Sequence, residues 1–131
     1  MELHSHRQKL IKSAIGALEH AYVPYSNFRV GAAVLMENDQ IFTGCNIENS
    51  SYGLTNCAER TAIFKAVSEG YKQVRAIAIV GNTEQPISPC GACRQVLAEF
   101  AKEDTPIYLA NLKGDYKQFT LAELLPYSFH L

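Results

Sequence analysis

The order of elements predicts an α/β fold, in which about five strands form one mixed sheet covered by helices. Three observations carry this expectation. An apolar stripe at helical spacing opens the chain. A polar turn at Glu37-Asn38-Asp39 joins two strand-like runs into a hairpin. From Cys57 onward, helix and strand patterns alternate, which implies parallel strands with both faces covered.

Residues 5–21 read as an amphipathic helix, with Ile11, Ala14, Ile15, Leu18 and Tyr22 on one face. Pro24 and the following Tyr25-Ser26-Asn27 end it. Phe28 to Met36 is apolar on both faces and reads as a strand; Gln40 to Cys45 is its hairpin partner. Residues 46–56 are small and polar, the composition of a surface loop that can carry binding groups. Cys57 to Glu69 is a helix stopped by Gly70. Val74 to Val80 lacks alternation and is expected to be buried on both faces. A loop with Pro86 and Pro89 leads to a helix from about Gly91 to Lys102. Pro106 to Ala110 is a strand, Asn111 to Gly114 a turn, and Tyr116 to Phe119 a last short strand. Thr120-Leu121-Ala122-Glu123 then opens a short helix in the form of a capping box. The loops before Cys57 and Cys90 are expected to open on one edge of the sheet, where ligands bind in open α/β folds.

The expected organisation is one domain spanning residues 1–131, a length that supports an ordinary core. Hydrophobic residues make up 47% and charged residues 19%, with a formal net charge of -1. That balance argues against a polyanion binder, and so against a nucleic-acid partner, because phosphate contact needs clustered basic surface. Arg7 to Lys12 is the nearest approach to a basic run and reads as a solvated helix face. No run reaches the roughly 18 apolar residues that span a bilayer, so no membrane partner is expected. Met1 to His6 lacks the apolar centre of a signal peptide. A cytoplasmic location follows, with the four cysteines mainly reduced and pointing to metal or catalysis before disulfides. His4 and His6 are expected to form a solvated tail.

The chemistry concentrates in two segments, Cys57-Ala58-Glu59-Arg60 and Pro89-Cys90-Gly91-Ala92-Cys93. Each begins a helix directly after a loop. Cys90 and Cys93 are one helical turn apart, and Cys57 joins them from the start of the other helix. Three sulfurs converging in this way suit one tetrahedral zinc per chain, with a coordination position left open for catalysis. Zn²⁺ with three thiolates sums to about -1, and two helix N-termini are placed to offset that charge. Arg60 can donate hydrogen bonds to thiolate sulfur; taken alone, it reads as a surface arginine. Glu59 can carry a proton for a metal-activated water; taken alone, it complements a helix dipole. Cys45 has no motif partner and reads as a small buried residue.

Cys57-x-Glu59 followed by Pro89-Cys90-x-x-Cys93 matches the general signature of zinc deaminases. With Phe28-Arg29-Val30-Gly31-Ala32-Ala33, Gly44-Cys45-Asn46-Ile47-Glu48-Asn49 and Ser88-Pro89-Cys90-Gly91-Ala92-Cys93-Arg94-Gln95, the chain resembles the small homotetrameric cytidine deaminases from about residue 5 to 129. The resemblance implies a three-layer α-β-α fold and hydrolysis of cytidine and deoxycytidine to uridine and deoxyuridine, a pyrimidine-salvage reaction. It implies zinc on Cys57, Cys90 and Cys93, with Glu59 moving the proton. It also implies that Asn46 and Glu48 hold the ribose, chiefly its 3′-hydroxyl. Phe28 would pack on the pyrimidine, and the Ala58 N–H would meet the C2 carbonyl. Tyr52 and Phe129 would reach into a neighbouring subunit's site.

Other readings remain at this stage. Without the resemblance, Phe28 reads equally well as core, Asn46 and Glu48 as turn residues, and Phe129 as a docking contact. A thioredoxin-like dithiol explains Cys90 and Cys93 and leaves Cys57 and Glu59 without a role. A structural zinc site recruits Cys45 as fourth ligand. Blasticidin-type deaminases share the cysteine motifs, but Asn46-Ile47-Glu48-Asn49 favours a plain nucleoside.

Overall fold

The computed structural model describes residues 3–129, with side chains from residue 6. Its elements are α1 (Leu3–Leu18), β1 (Val30–Met36), β2 (Ile41–Cys45), a 3₁₀ turn (Tyr52–Leu54), α2 (Ala58–Ser68), β3 (Val74–Gly81), α3 (Gly91–Phe100), β4 (Pro106–Asn111), β5 (Tyr116–Thr120) and α4 (Leu121–Leu124). The strand order is β2-β1-β3-β4-β5. Only β3 and β4 pair in parallel; β1 is antiparallel to both its neighbours, and β5 is antiparallel to β4.

Alternating side chains divide the core into two layers. Ala33, Leu35, Ala76, Ala78, Val80, Tyr108 and Ala110 meet Leu10, Ala14 and Leu18 of α1. Their strand neighbours Ala32, Val34, Met36, Ile77, Ile79, Ile107 and Leu109 meet α2, α3 and α4 through Ala58, Ala62, Ile63, Ala66, Leu97, Ala98 and Leu121. This three-layer arrangement is why β1, β3 and β4 carry apolar residues on both faces. Small residues set the layer spacing. A Cβ on Gly31 would lie 2.0 Å from the Ala14 carbonyl oxygen, so α1 rests directly on the β1 backbone. Gly44 does the same for α2, whose Ala62 N and Ala58 O would lie 2.5 and 2.6 Å from an added Cβ.

Because β2 and β3 both run opposite to β1, their ends lie beside its start, with Gly31 opposite Cys45 and Val30 opposite Gly81. The segments leading to Cys57 and Cys90 therefore leave from one edge, as expected. The capping box also forms: Thr120 Oγ1 accepts from the Glu123 N–H, and Glu123 Oε1 accepts from the Thr120 N–H at 2.8 Å.

Three expectations need correction. First, α1 ends at Leu18, and Tyr22 lies beyond it, 57% exposed and bridged to Ile47. Second, His6 is no solvated tail. It lies within α1 and is 4% exposed, because it heads the buried stripe His6, Leu10, Ala14, Leu18 at four-residue spacing. The His4 side chain and residues 1–2 lie outside the described residues. Third, Phe28 and Arg29 precede β1 rather than starting it. Asn27, at φ 58°, turns the chain before it can enter the sheet.

Candidate active site

Cys57 and Cys90 are the N-cap residues of α2 and α3, both in extended conformation, and neither side chain caps its helix. A serine or aspartate there would turn its oxygen back onto the helix N–H groups. A cysteine leaves those donors free and sends its sulfur outward. Cys93 lies in the first turn of α3 and is fully buried. The three sulfurs lie within 4.8 Å of one another, with Cys57–Cys90 at 3.6 Å and Cys90–Cys93 at 3.2 Å. All are free thiols. Ligands at about 2.3 Å in a tetrahedron stand roughly 3.8 Å apart, so this spacing fits a shared zinc. Cys45 lies outside the cluster, which among the described residues offers three ligands and no fourth. Its partial burial pushes its thiol up, opposite to what a ready metal ligand needs.

The electrostatics favour thiolate at Cys57. Cys57 is lowered to about 5, chiefly by its hydrogen bond with Cys93, with Arg60 next. The same bond raises Cys93, and its burial adds to the shift. Arg60 Nη2 donates to Cys57 Sγ at 3.4 Å and is held firmly protonated by that contact. Its buried Nε has no hydrogen-bond partner among the described residues. These donor atoms and their compensating cation suit a soft dication.

Glu59 follows one residue after Ala58 and is 4% exposed. Burial raises its carboxyl above the usual range, and the Cys57 charge adds to this. It shares a cavity of about 400 Å³ with Phe28, Asn46, Cys57, Ala58 and Cys90. That volume is near the lower end of small-ligand pockets, which run from about 300 to 1,000 Å³. Thr55, Ile87 and Ser88 also line it. No separate signal in the sequence marks these three beyond their nearness to Cys57 and Pro89.

Asn46 and Glu48 are more than turn residues. Asn46 Oδ1 accepts from Val30 N at 2.9 Å, and its Nδ2 donates to Phe28 O at 2.8 Å, which fixes the segment carrying the Phe28 ring. Glu48 Oε1 accepts from the N–H groups of Tyr25 and Ser26 at 3.0 and 3.1 Å, while Oε2 accepts from Ser26 Oγ at 2.5 Å. Those bonds, the Ser26 hydroxyl first, hold Glu48 below the ordinary carboxylate range. Tyr52 and Phe129 are 79% and 67% exposed and do not line this chain's own cavity.

A three-sulfur cluster at two helix starts, with a buried carboxyl beside it in a small cavity, defines a hydrolase site of the zinc-deaminase class. Residues 4–109 match the family model described as cytidine and deoxycytidylate deaminase zinc-binding region, and the chain belongs to that family. It is 62% identical over 123 residues to a cytidine deaminase of Halalkalibacterium halodurans, covering 94% of this chain and 93% of that one. A crystal structure of cytidine deaminase from Burkholderia pseudomallei superposes with a TM-score of 0.90 at 51% identity, covering 93% of this chain and 98% of that one. That of cytidine deaminase from Mycobacterium tuberculosis gives 0.84 at 40% identity, covering 95% and 98%. No helix among the described residues is long and apolar enough to cross a membrane.

Proposed function

We propose that this chain hydrolyses cytidine and deoxycytidine to uridine and deoxyuridine, releasing ammonia, as a pyrimidine-salvage enzyme. The observation that carries this reading is a cluster of three free cysteine sulfurs at a cavity of nucleoside size, lined by two of those cysteines, Cys57 and Cys90, and by the buried Glu59. Cys57, Cys90 and Cys93 would hold one zinc ion. When bound, zinc supplies the Lewis acidity that makes water a nucleophile near neutral pH.

Glu59 takes a proton from the attacking water and delivers it to N3 of the pyrimidine, which makes C4 electrophilic. After water adds to C4, Glu59 moves a second proton to the amino group, which leaves as ammonia. Its raised pKa suits a group that must both accept and return a proton. Ala58 is the first residue of α2, so its N–H has no acceptor within the helix and is available to the C2 carbonyl. Phe28 packs against the ring, and its backbone is braced by Asn46. Glu48, together with the unused hydrogen-bonding capacity of Asn46, binds ribose hydroxyls. Arg60 balances the sulfur charge.

The whole chain, residues 1–131, serves as one deaminase domain acting in the cytoplasm, where thiols stay reduced. It works as a homotetramer with shared sites, in which Tyr52 and Phe129 complete a neighbour's pocket. Exposed Tyr22, Tyr25, Ile47 and Leu54 supply apolar surface for that contact.

The test is loss of absorbance at the cytidine band with purified protein, before and after zinc chelation. Turnover that disappears with chelator and returns with added zinc is expected. Zinc-loaded protein that leaves cytidine unchanged contradicts the proposal.

A further inference from the structure

We propose that Ser26 is a positioning residue of the substrate pocket, aiming the Glu48 carboxylate and the Phe28 backbone together. The inference rests on the reading of Glu48 as a ribose contact. Ser26 lies in the turn between α1 and β1, far in sequence from Glu48, yet its Oγ donates to Glu48 Oε2 at 2.5 Å. The same oxygen accepts from the Phe28 N–H at 3.0 Å. One hydroxyl thus links a sugar-binding carboxylate to the residue that flanks the base. The backbone N–H groups of Tyr25 and Ser26 hold the other carboxylate oxygen.

The consequence concerns what the carboxylate can still accept. An ionised carboxylate offers about four acceptor sites across its two oxygens. Three protein donors occupy three of them. One acceptor site remains, and it suits a ligand that brings a donor, such as a sugar hydroxyl. Without the Ser26 hydroxyl, Oε2 loses its one protein donor among the described residues, and the carboxylate can rotate about its held oxygen. Ser26 therefore acts through Glu48 on the hydroxyl-bearing part of the substrate rather than on the reacting carbon.

The test is steady-state kinetics on the full-length, zinc-loaded enzyme with cytidine and 3′-deoxycytidine, alongside thermal unfolding. Hydrogen bonds to charged groups are worth enough that Ser26→Ala should raise the cytidine KM about tenfold, with kcat within about twofold. With 3′-deoxycytidine the same variant should lose less than about threefold. Ser26→Thr, which keeps the hydroxyl, should recover most of the loss. Ser26→Cys, with its weak donor, provides the same contrast should the alanine variant fail to fold. Equal losses on both substrates, or a threonine variant as poor as alanine, overturn the assignment. Glu48→Ala separates the two levels. If it leaves the cytidine KM unchanged, the ribose reading fails and this inference with it. If it raises KM while Ser26→Ala does not, the role of Ser26 alone is refuted.

Discussion

Gly44→Ala tests whether the distance between β2 and α2 sets the active site. The added Cβ would lie 2.5 Å from Ala62 N, 2.6 Å from Ala58 O and 2.9 Å from Thr61 Cβ. Favourable contacts of this kind begin at about 3.5 Å, so α2 must withdraw by roughly 1 Å. Two of the three obstructing atoms belong to the α2 backbone, so no rotamer change relieves them. Overpacking of this sort costs about 1–3 kcal/mol of stability. The same movement carries Cys57, Ala58 and Glu59, which form the start of that helix. Misplacing a reacting group by about 1 Å can cost on the order of 10²-fold in rate. We expect kcat/KM for cytidine to fall about 100-fold and the urea midpoint to drop correspondingly, with zinc bound more weakly. A Gly44→Ala enzyme with unchanged kcat/KM and an unchanged unfolding midpoint refutes this reasoning.

Two further substitutions address the chemistry. Glu59→Gln leaves the sulfurs intact, so zinc content should stay at one per chain while kcat falls by at least about 10²–10⁴-fold. Because burial is what raises the Glu59 pKa, the neutral amide is easier to bury, and the unfolding midpoint should hold or rise. Cys45→Ala should keep zinc and activity, since Cys45 lies outside the sulfur cluster, whereas Cys90→Ala should lose both. Metal analysis of the two proteins side by side checks this, and loss of zinc from Cys45→Ala would point to a closed four-sulfur site.

The local parts of this molecule were legible because short-range rules govern them. One helical turn between Cys90 and Cys93 fixes their common direction whatever the rest of the chain does. The Thr120–Glu123 box is likewise a four-residue event. What the sequence did not disclose is nonlocal. Placing β3 beside β1 rather than β2 depends on the competition among whole-sheet packings. The Ser26–Glu48 and Asn46–Val30 bonds join positions 22 and 16 residues apart, and no periodicity encodes such pairs. Asn46 and Glu48 were visible as candidate ligand contacts, but their bracing of the Phe28 and Ser26 segments was not. His6 shows how a polar residue can mislead: its four-residue spacing from Leu10 outweighed its chemistry.

The most direct measurement is X-ray absorption at the zinc edge on the purified protein. Three sulfur neighbours at about 2.3 Å with one lighter atom at about 2.0 Å, at one zinc per chain, is the expected spectrum. A shell of four sulfurs, or protein that binds no zinc while its thiols remain reduced, would contradict a catalytic metal centre built by Cys57, Cys90 and Cys93.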